Sequence, residues 1–209
     1  ANAPGGDRNT NNDVGIFFSN AVQYRHTVGP VNFGVLYAFG GQPGSAKDNS
    51  SYALGATYTG PITLSASYQA MKDEQTGKSN IEHTSLGFAI PFGDFIWKNN
   101  WMNAKNDART GAELADINGL GTGLDWKWSA RNSATVAYYI NKDDKNKTDE
   151  TKFLVISNDY QWRPDTTLYV QFAYADADAG ATLRTSIVAA GVTPGEKSSL
   201  LNVGLNFMF

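Results

Sequence analysis

The sequence has 209 residues, with 17 Lys and Arg against 20 Asp and Glu, two His and no Cys, for a formal net charge of −3. That balance leaves no basic footprint for nucleic acid, and the lack of Cys excludes disulfides, thiolate metal sites and Cys nucleophiles. No run approaches the ~18–20 apolar residues of a membrane-spanning helix, while a mean hydropathy of −0.37 suits half-polar strands as well as a water-soluble domain.

Residues 1–13 (ANAPGGDRNTNND) carry Gly, Pro, Asn and Asp with no apolar stretch, so they read as loop and not as a signal peptide. From there on apolar residues recur at every second position, and no 3.6-residue period competes. The spacing predicts strands over 16–27, 31–40, 51–59, 62–71, 82–90, 95–104, 118–128, 134–142, 152–161, 167–175 and 199–209. Phe33, Val35, Tyr37 and Phe39 share one parity, as do Tyr52, Leu54, Ala56 and Tyr58, and then Ile62, Leu64, Ala66 and Tyr68. Leu120, Leu124, Trp126 and Trp128 do the same, and the chain ends on Leu201, Val203, Leu205, Phe207 and Phe209. Gly, Ala, Ser, Thr, Asn and Gln fill most positions between. Each segment is roughly 9–11 residues, the length of a tilted strand crossing a bilayer.

The connectors alternate between short (28–30, 60–61, 91–94, 129–133, 162–166) and long (41–50, 72–80, 105–117, 143–151, 176–198). Short turns on one edge and long loops on the other are the plan of a transmembrane antiparallel barrel. The charges agree. Only Arg25, Lys98, Asp125, Lys127 and Asp159 interrupt strands away from their ends, and each has the parity opposite to its strand's apolar set. On a lipid face a mid-depth Arg or Lys would cost about 2–4 kcal/mol, whereas on the inner face it meets water. Ser19 and Gln23 share the face of Arg25. Asn20, Asn99 and Asn158 fit less well, with outward parity in mid-strand; bulges, a subunit contact or a register error would each account for them. Tyr24, Tyr58, Trp128, Tyr160, Trp162 and Phe209 gather towards the short-turn edge, as an interfacial aromatic girdle would.

Other features carry little chemistry. His26 and His83 have no partner at a spacing that makes a nucleophile–base pair, so no catalytic residue is expected. Gly119, Gly121 and Gly123 lack the dinucleotide-binding spacing, and their shared inner parity reads as small residues in a barrel wall. The acidic stretches 143–150 and 176–180 could hold Ca²⁺ loosely but lack the EF-hand pattern, so they read as solvated loop, with no metal or cofactor.

The ending LLNVGLNFMF (200–209), WKWSARNSATVAYYIN (126–141), YQWRPDTTLYVQFAYAD (160–176) and NAVQYRHTVGPVNFGVLYAFGG (20–41) together resemble the general trimeric porins of Gram-negative bacteria, of the β-proteobacterial type. The likeness covers nearly the whole chain, in the same order of segments. It implies a sixteen-stranded barrel in the outer membrane, of which this chain holds about eleven strands. Residues 1–14 would be the tail of an inward-folded constriction loop and 15–209 the C-terminal strands. It implies a water-filled channel for passive diffusion of small hydrophilic solutes and ions, with anion preference, a homotrimer, and contact with the lipid bilayer and lipopolysaccharide. Arg25 matches the family's basic wall residue at the constriction. Its competing reading is a structural Arg paired with a lumen carboxylate. Gln23, Ser19, Lys98, Asp125, Lys127 and Asp159 would line the pore. An odd strand count cannot close by antiparallel pairing, so the sequence is expected to be a C-terminal portion. Two alternatives stand beside this one: another outer-membrane barrel (an autotransporter translocator, a specific channel or a barrel enzyme), and a soluble β-sandwich binding module.

Overall fold

A computed structural model describes residues 20–41, 43–45, 47–181 and 194–208. Alternating apolar and small polar residues suit a pleated backbone, which sends successive side chains to opposite faces. The described chain accordingly forms eleven strands: β1 (Ala21–Val28), β2 (Val31–Ala38), β3 (Ser51–Thr59), β4 (Thr63–Lys72), β5 (Ser79–Phe92), β6 (Phe95–Asp107), β7 (Glu113–Trp126), β8 (Asn132–Asp143), β9 (Glu150–Arg163), β10 (Thr166–Ala177) and β11 (Lys197–Phe207). They lie side by side in chain order in one antiparallel sheet. Among the described residues β1 pairs only with β2 and β11 only with β10, so the sheet is open at both edges.

The registers carry one parity across the whole sheet. On one face Val28 lies opposite Val31, and the row continues through Tyr58, Leu64, Phe88, Asn99, Thr122, Tyr138, Leu154 and Tyr174. On the other face Arg25 lies opposite Gly34, and the row runs through Gly55, Ser67, Ser85, Met102, Gly119, Asn141, Thr151 and Ala177. A slip of one residue at any pairing would have mixed the two sets.

Among the described residues no protein layer covers the apolar face. Leu120 is 55 % exposed, Leu201 67 % and Val203 71 %. A sandwich would cover such a face with a second sheet about 10 Å away, and none exists among the described residues. The buried cluster is small, Ala104, Ala115 and Ile117 near the long-loop end. A continuous apolar face of this extent needs an apolar solvent.

The structure revises several boundaries. The strands run further towards the long-loop edge than the bilayer-crossing length suggests, so three of the long connectors shrink to 73–78, 108–112 and 144–149. Charged residues read as loop are laddered instead: Lys105 pairs with Asp116 at 3.4 Å and Lys197 with Asp176 at 3.3 Å. Backbone hydrogen bonding continues wherever both strands persist, whether lipid or water surrounds it. Asn20 is not in mid-strand; it precedes β1 with a left-handed φ of 55°. Asn99 and Asn158 do face outward, but neither marks a bulge. The register shifts fall at Met71/Lys72, Asn106/Asp107 and Thr166/Thr167, near strand ends. β7 stops at Trp126, which leaves Lys127 and Trp128 in the 127–131 turn.

Candidate functional site

The small residues of the inner face are shaped by their neighbours. Gly121 faces Asn100 and Tyr139 directly across β6 and β8, and a Cβ there would overlap the Asn100 amide oxygen and stand 2.7 Å from the Tyr139 ring. Gly121 therefore leaves room for larger side chains on the adjacent strands. All three β7 glycines, Gly119, Gly121 and Gly123, lie within the strand and form no phosphate-binding loop.

Arg25 stands on this face of β1 and is exposed. Among the described residues it has no carboxylate partner. Its neighbour is Gln23, two positions earlier on the same face. The hydrogen bonds are satisfied with the amide oxygen turned to the guanidinium, so that Gln23 Oε1 accepts from Nε at 3.1 Å and Nη2 at 3.2 Å. This partner is neutral and brings no opposing charge to the arginine. Ser19 lies outside the described residues.

The other charged positions divide. Lys98 on β6 and Asp125 on β7 share the inner face and form an ion pair, while Asp125 also accepts from Thr135 Oγ1 at 2.9 Å. The pair cancels its own field. Asp159 lies on the same face of β9, in a polar hollow with Thr167, Tyr169, Gln171 and Asn206. Lys127 is exposed in the short turn, where its backbone N–H donates to Asp94 O at 2.9 Å. It stands at the rim of the sheet and not within a strand.

The outer face at the short-turn edge carries a chain of rings. Phe92 stacks on Phe95 at 5.6 Å between centroids, Phe95 on Trp126 at 5.7 Å, and Trp126 meets Trp128 at 6.4 Å. Trp128 Nε1 donates to Asn158 Oδ1 at 2.9 Å, which gives outward Asn158 a partner. Trp162 lies under the Arg163 guanidinium at 4.6 Å. Tyr160 follows Asn158 on that face of β9, and Tyr58 folds back over Gly60 at the β3–β4 turn. Tyr24 differs: it sits mid-strand on β1 beside His26 at 6.1 Å and Phe33 at 6.3 Å. Phe209 lies outside the described residues. Sequence reading overlooked Phe92 and Phe95 as members of this chain of rings. The two-residue turn Gly93-Asp94, with Gly93 at a φ of 58°, makes them cross-strand partners, a signal already present in the sequence.

At the opposite edge the loops are tied to each other. Asp73 Oδ1 accepts from the backbone N–H groups of Gln75 and Thr76, both at 2.9 Å. Its Oδ2 accepts from Arg109 Nε at 2.8 Å, and Arg109 Nη2 reaches Glu74 at 3.0 Å. The Thr76 N–H above all, then the Gln75 N–H and Arg109, hold the Asp73 carboxyl below the usual range against the opposing effect of burial. Asp73 in turn raises the Arg109 guanidinium. Among the described residues no group of three or more His, Asp or Glu is placed to hold a metal ion.

Residues 3–180 match the family model described as Gram-negative porin. No curated protein matches the sequence. Among solved structures, the anion-selective porin from Comamonas acidovorans aligns over 99 % of this chain and 66 % of its own, with a TM-score of 0.80 and 18 % identity. OmpT, an outer membrane protein of Vibrio cholerae, aligns over 97 % of this chain and 67 % of its own, at 0.71 and 12 %. A mutant of the Rh. blastica porin aligns over 90 % and 55 %, at 0.60 and 17 %. The chain thus spans at most about two thirds of the length of these structures, and at such identities the likeness is one of fold.

Proposed function

We propose, on the premise that this chain belongs to the Gram-negative porin family, that it forms most of the wall of a water-filled channel for passive diffusion of small hydrophilic solutes and ions. The family is one of the bacterial outer membrane. The observation that carries the reading is the two-faced sheet: one parity, held through all ten pairings, separates an apolar face that no described residue covers from a face dominated by Gly, Ala, Ser, Thr, Asn and Gln. The apolar side meets hydrocarbon, the polar side meets water, and a solute crosses without chemistry or energy input.

Anion preference rests on Arg25. It carries a charge that no described carboxylate cancels, while Lys98 and Asp125 neutralise each other. A fixed positive group on a narrow pore wall raises the local anion concentration. Gln23, Ser19 and Asp159 are the further lining residues, Lys127 stands at the rim, and residues 1–14 are the tail of the constricting loop. The aromatic chain through Phe95, Trp126 and Trp128, with Tyr160, Trp162, Tyr58 and Phe209, contacts the lipid interface, and Tyr24 meets lipid nearer mid-depth. The assembly is a homotrimer, in contact with lipid and lipopolysaccharide.

The test is planar-bilayer recording of the intact protein in a salt gradient. Stepwise conductance with a reversal potential on the anion side is expected, and Arg25→Gln should move that potential towards the cation side. Silent bilayers from correctly folded protein would overturn the channel, and an unmoved potential the role of Arg25.

A further inference from the structure

The charge of Arg25 is useful to a pore only if it is held in one place, because a free arginine spreads its charge over many rotamers. Two neighbours restrict it. Gln23 Oε1 accepts from Nε and Nη2, at 3.1 and 3.2 Å, and so occupies one edge of the guanidinium. Gly34 lies directly opposite Arg25 on β2, followed by Gly55 on β3. Directly opposed Cβ atoms on one face stand only about 4.5–5.5 Å apart, so a side chain at position 34 would compete with the arginine stem. A Cβ built on Gly34 comes within 3.3 Å of Arg25 Cγ and 3.5 Å of the Tyr24 carbonyl oxygen. A Cβ at position 34 would therefore press on the stem by a few tenths of an ångström, and a longer side chain would take more of its path, while glycine leaves it clear.

We propose that Gln23 and Gly34 are positioning residues that set ion selectivity through Arg25. Gln23 receives one edge of the guanidinium, and Gly34 clears the path of its stem. The amide carries no charge, so it orients the arginine without neutralising it, which a carboxylate at the same position would do. Among the described residues nothing else takes the remaining donors of the guanidinium, which can meet a passing anion. This inference rests on the reading of Arg25 as a selectivity group.

The experiment compares reversal potentials of the intact protein in a potassium chloride gradient, with folding checked by heat-dependent gel mobility. Arg25→Gln sets the full shift. Gln23→Leu keeps the charge and the size but removes the acceptor, and a partial shift in the same direction is expected. Gly34→Leu fills the path and should do likewise; Gly34→Ala is the milder variant if the leucine protein does not fold. Combining Gln23→Leu with Arg25→Gln should add nothing to Arg25→Gln alone, because Gln23 acts through the arginine. If Arg25→Gln moves the potential while Gln23→Leu and both Gly34 variants leave it unchanged, the positioning role is overturned and the selectivity role stands. If Arg25→Gln itself does nothing, both fall. A further shift in the double variant would show that Gln23 acts independently and would also overturn the proposal.

Discussion

Arg109 ties the 108–112 loop to Asp73 in the 73–78 loop through a 2.8 Å hydrogen bond from Nε to a carboxylate oxygen whose side chain is only 5 % exposed. The arginine spans two loops on the same edge of the sheet, and Asp73 also organises its own turn by accepting from Gln75 and Thr76. Asp73→Ala should loosen both loops together. Hydrogen exchange read by mass spectrometry would check this: peptides over 73–78 and 108–112 should both exchange faster, and the strand centres should not. Acceleration in the first loop alone would mean that the Arg109 contact holds nothing.

The same carboxylate predicts a pH response. Its folded pKa lies below the ordinary aspartate value of about 3.9, so the opened state binds the proton first as pH falls. The contribution is complete above that ordinary value and drains away as pH falls through the lowered one. Loop exchange, corrected for intrinsic rates, is expected to be flat from neutral pH to about 5 and to rise only below about 4. Loss of protection near pH 6 would point to another group.

Ile156 and Ser157 are neighbours on β9 but belong to opposite faces, Ile156 opposite Val136 and Phe172, Ser157 opposite Thr135 and Gln171. Ile156→Arg places a charge on the apolar face and should cost about 2–4 kcal/mol of folding stability in bilayers. Ser157→Arg should cost well under 1 kcal/mol, since its guanidinium meets water on the polar face. Equilibrium urea unfolding in lipid vesicles measures both. Equal costs would contradict the assignment of the two faces.

Tyr139 and Gly121 are direct partners, with the ring lying over the glycine. Gly121→Val overpacks this spot and should destabilise the sheet by about 1–3 kcal/mol. Most of that loss should disappear in a Tyr139→Ala background, where the space is already empty. Thermal unfolding of the four proteins in detergent would read this double-mutant cycle. Additive effects would mean that the ring does not depend on the glycine.

Phe95 stacks on both Phe92 and Trp126 at the short-turn edge. Phe95→Ala removes two aromatic pairs, each worth about 0.5–1.5 kcal/mol, so a loss of about 1–3 kcal/mol is expected. Trp126 fluorescence should shift as well, since its stacking partner is gone. An unchanged unfolding midpoint would reduce the ring chain to ordinary surface contact.

Much of the fold is legible in the sequence because a porin strand writes its two faces into alternate residues. The positions of Val35, Leu54, Leu64, Leu86, Leu120, Val136, Ile156, Val170 and Val203 determine which side of each strand meets lipid. The sheet keeps all of them on one face. Strand ends were less legible. Lys105, Asp116, Asp176 and Lys197 read as loop residues, yet they sit in extended ladders beyond the apolar band. Charge reports solvent, and a strand in water is as well hydrogen-bonded as one in lipid.

The site divides in the same way. Parity alone put Gln23, Arg25, Lys98, Asp125 and Asp159 on the polar side, because the pleat sends every second side chain the same way. It could not say that Lys98 reaches Asp125 while Arg25 has no carboxylate partner among the described residues, nor that Gln23 turns its oxygen to the guanidinium beside Gly34. Those relations depend on the register between strands and on diagonal side-chain reach. Both are set by which residues stand opposite each other after the chain has turned back. Alternation is a property of one strand and is determined by the sequence itself. Neighbourhood across strands exists only once the sheet has formed, and it is there that charge is cancelled or kept.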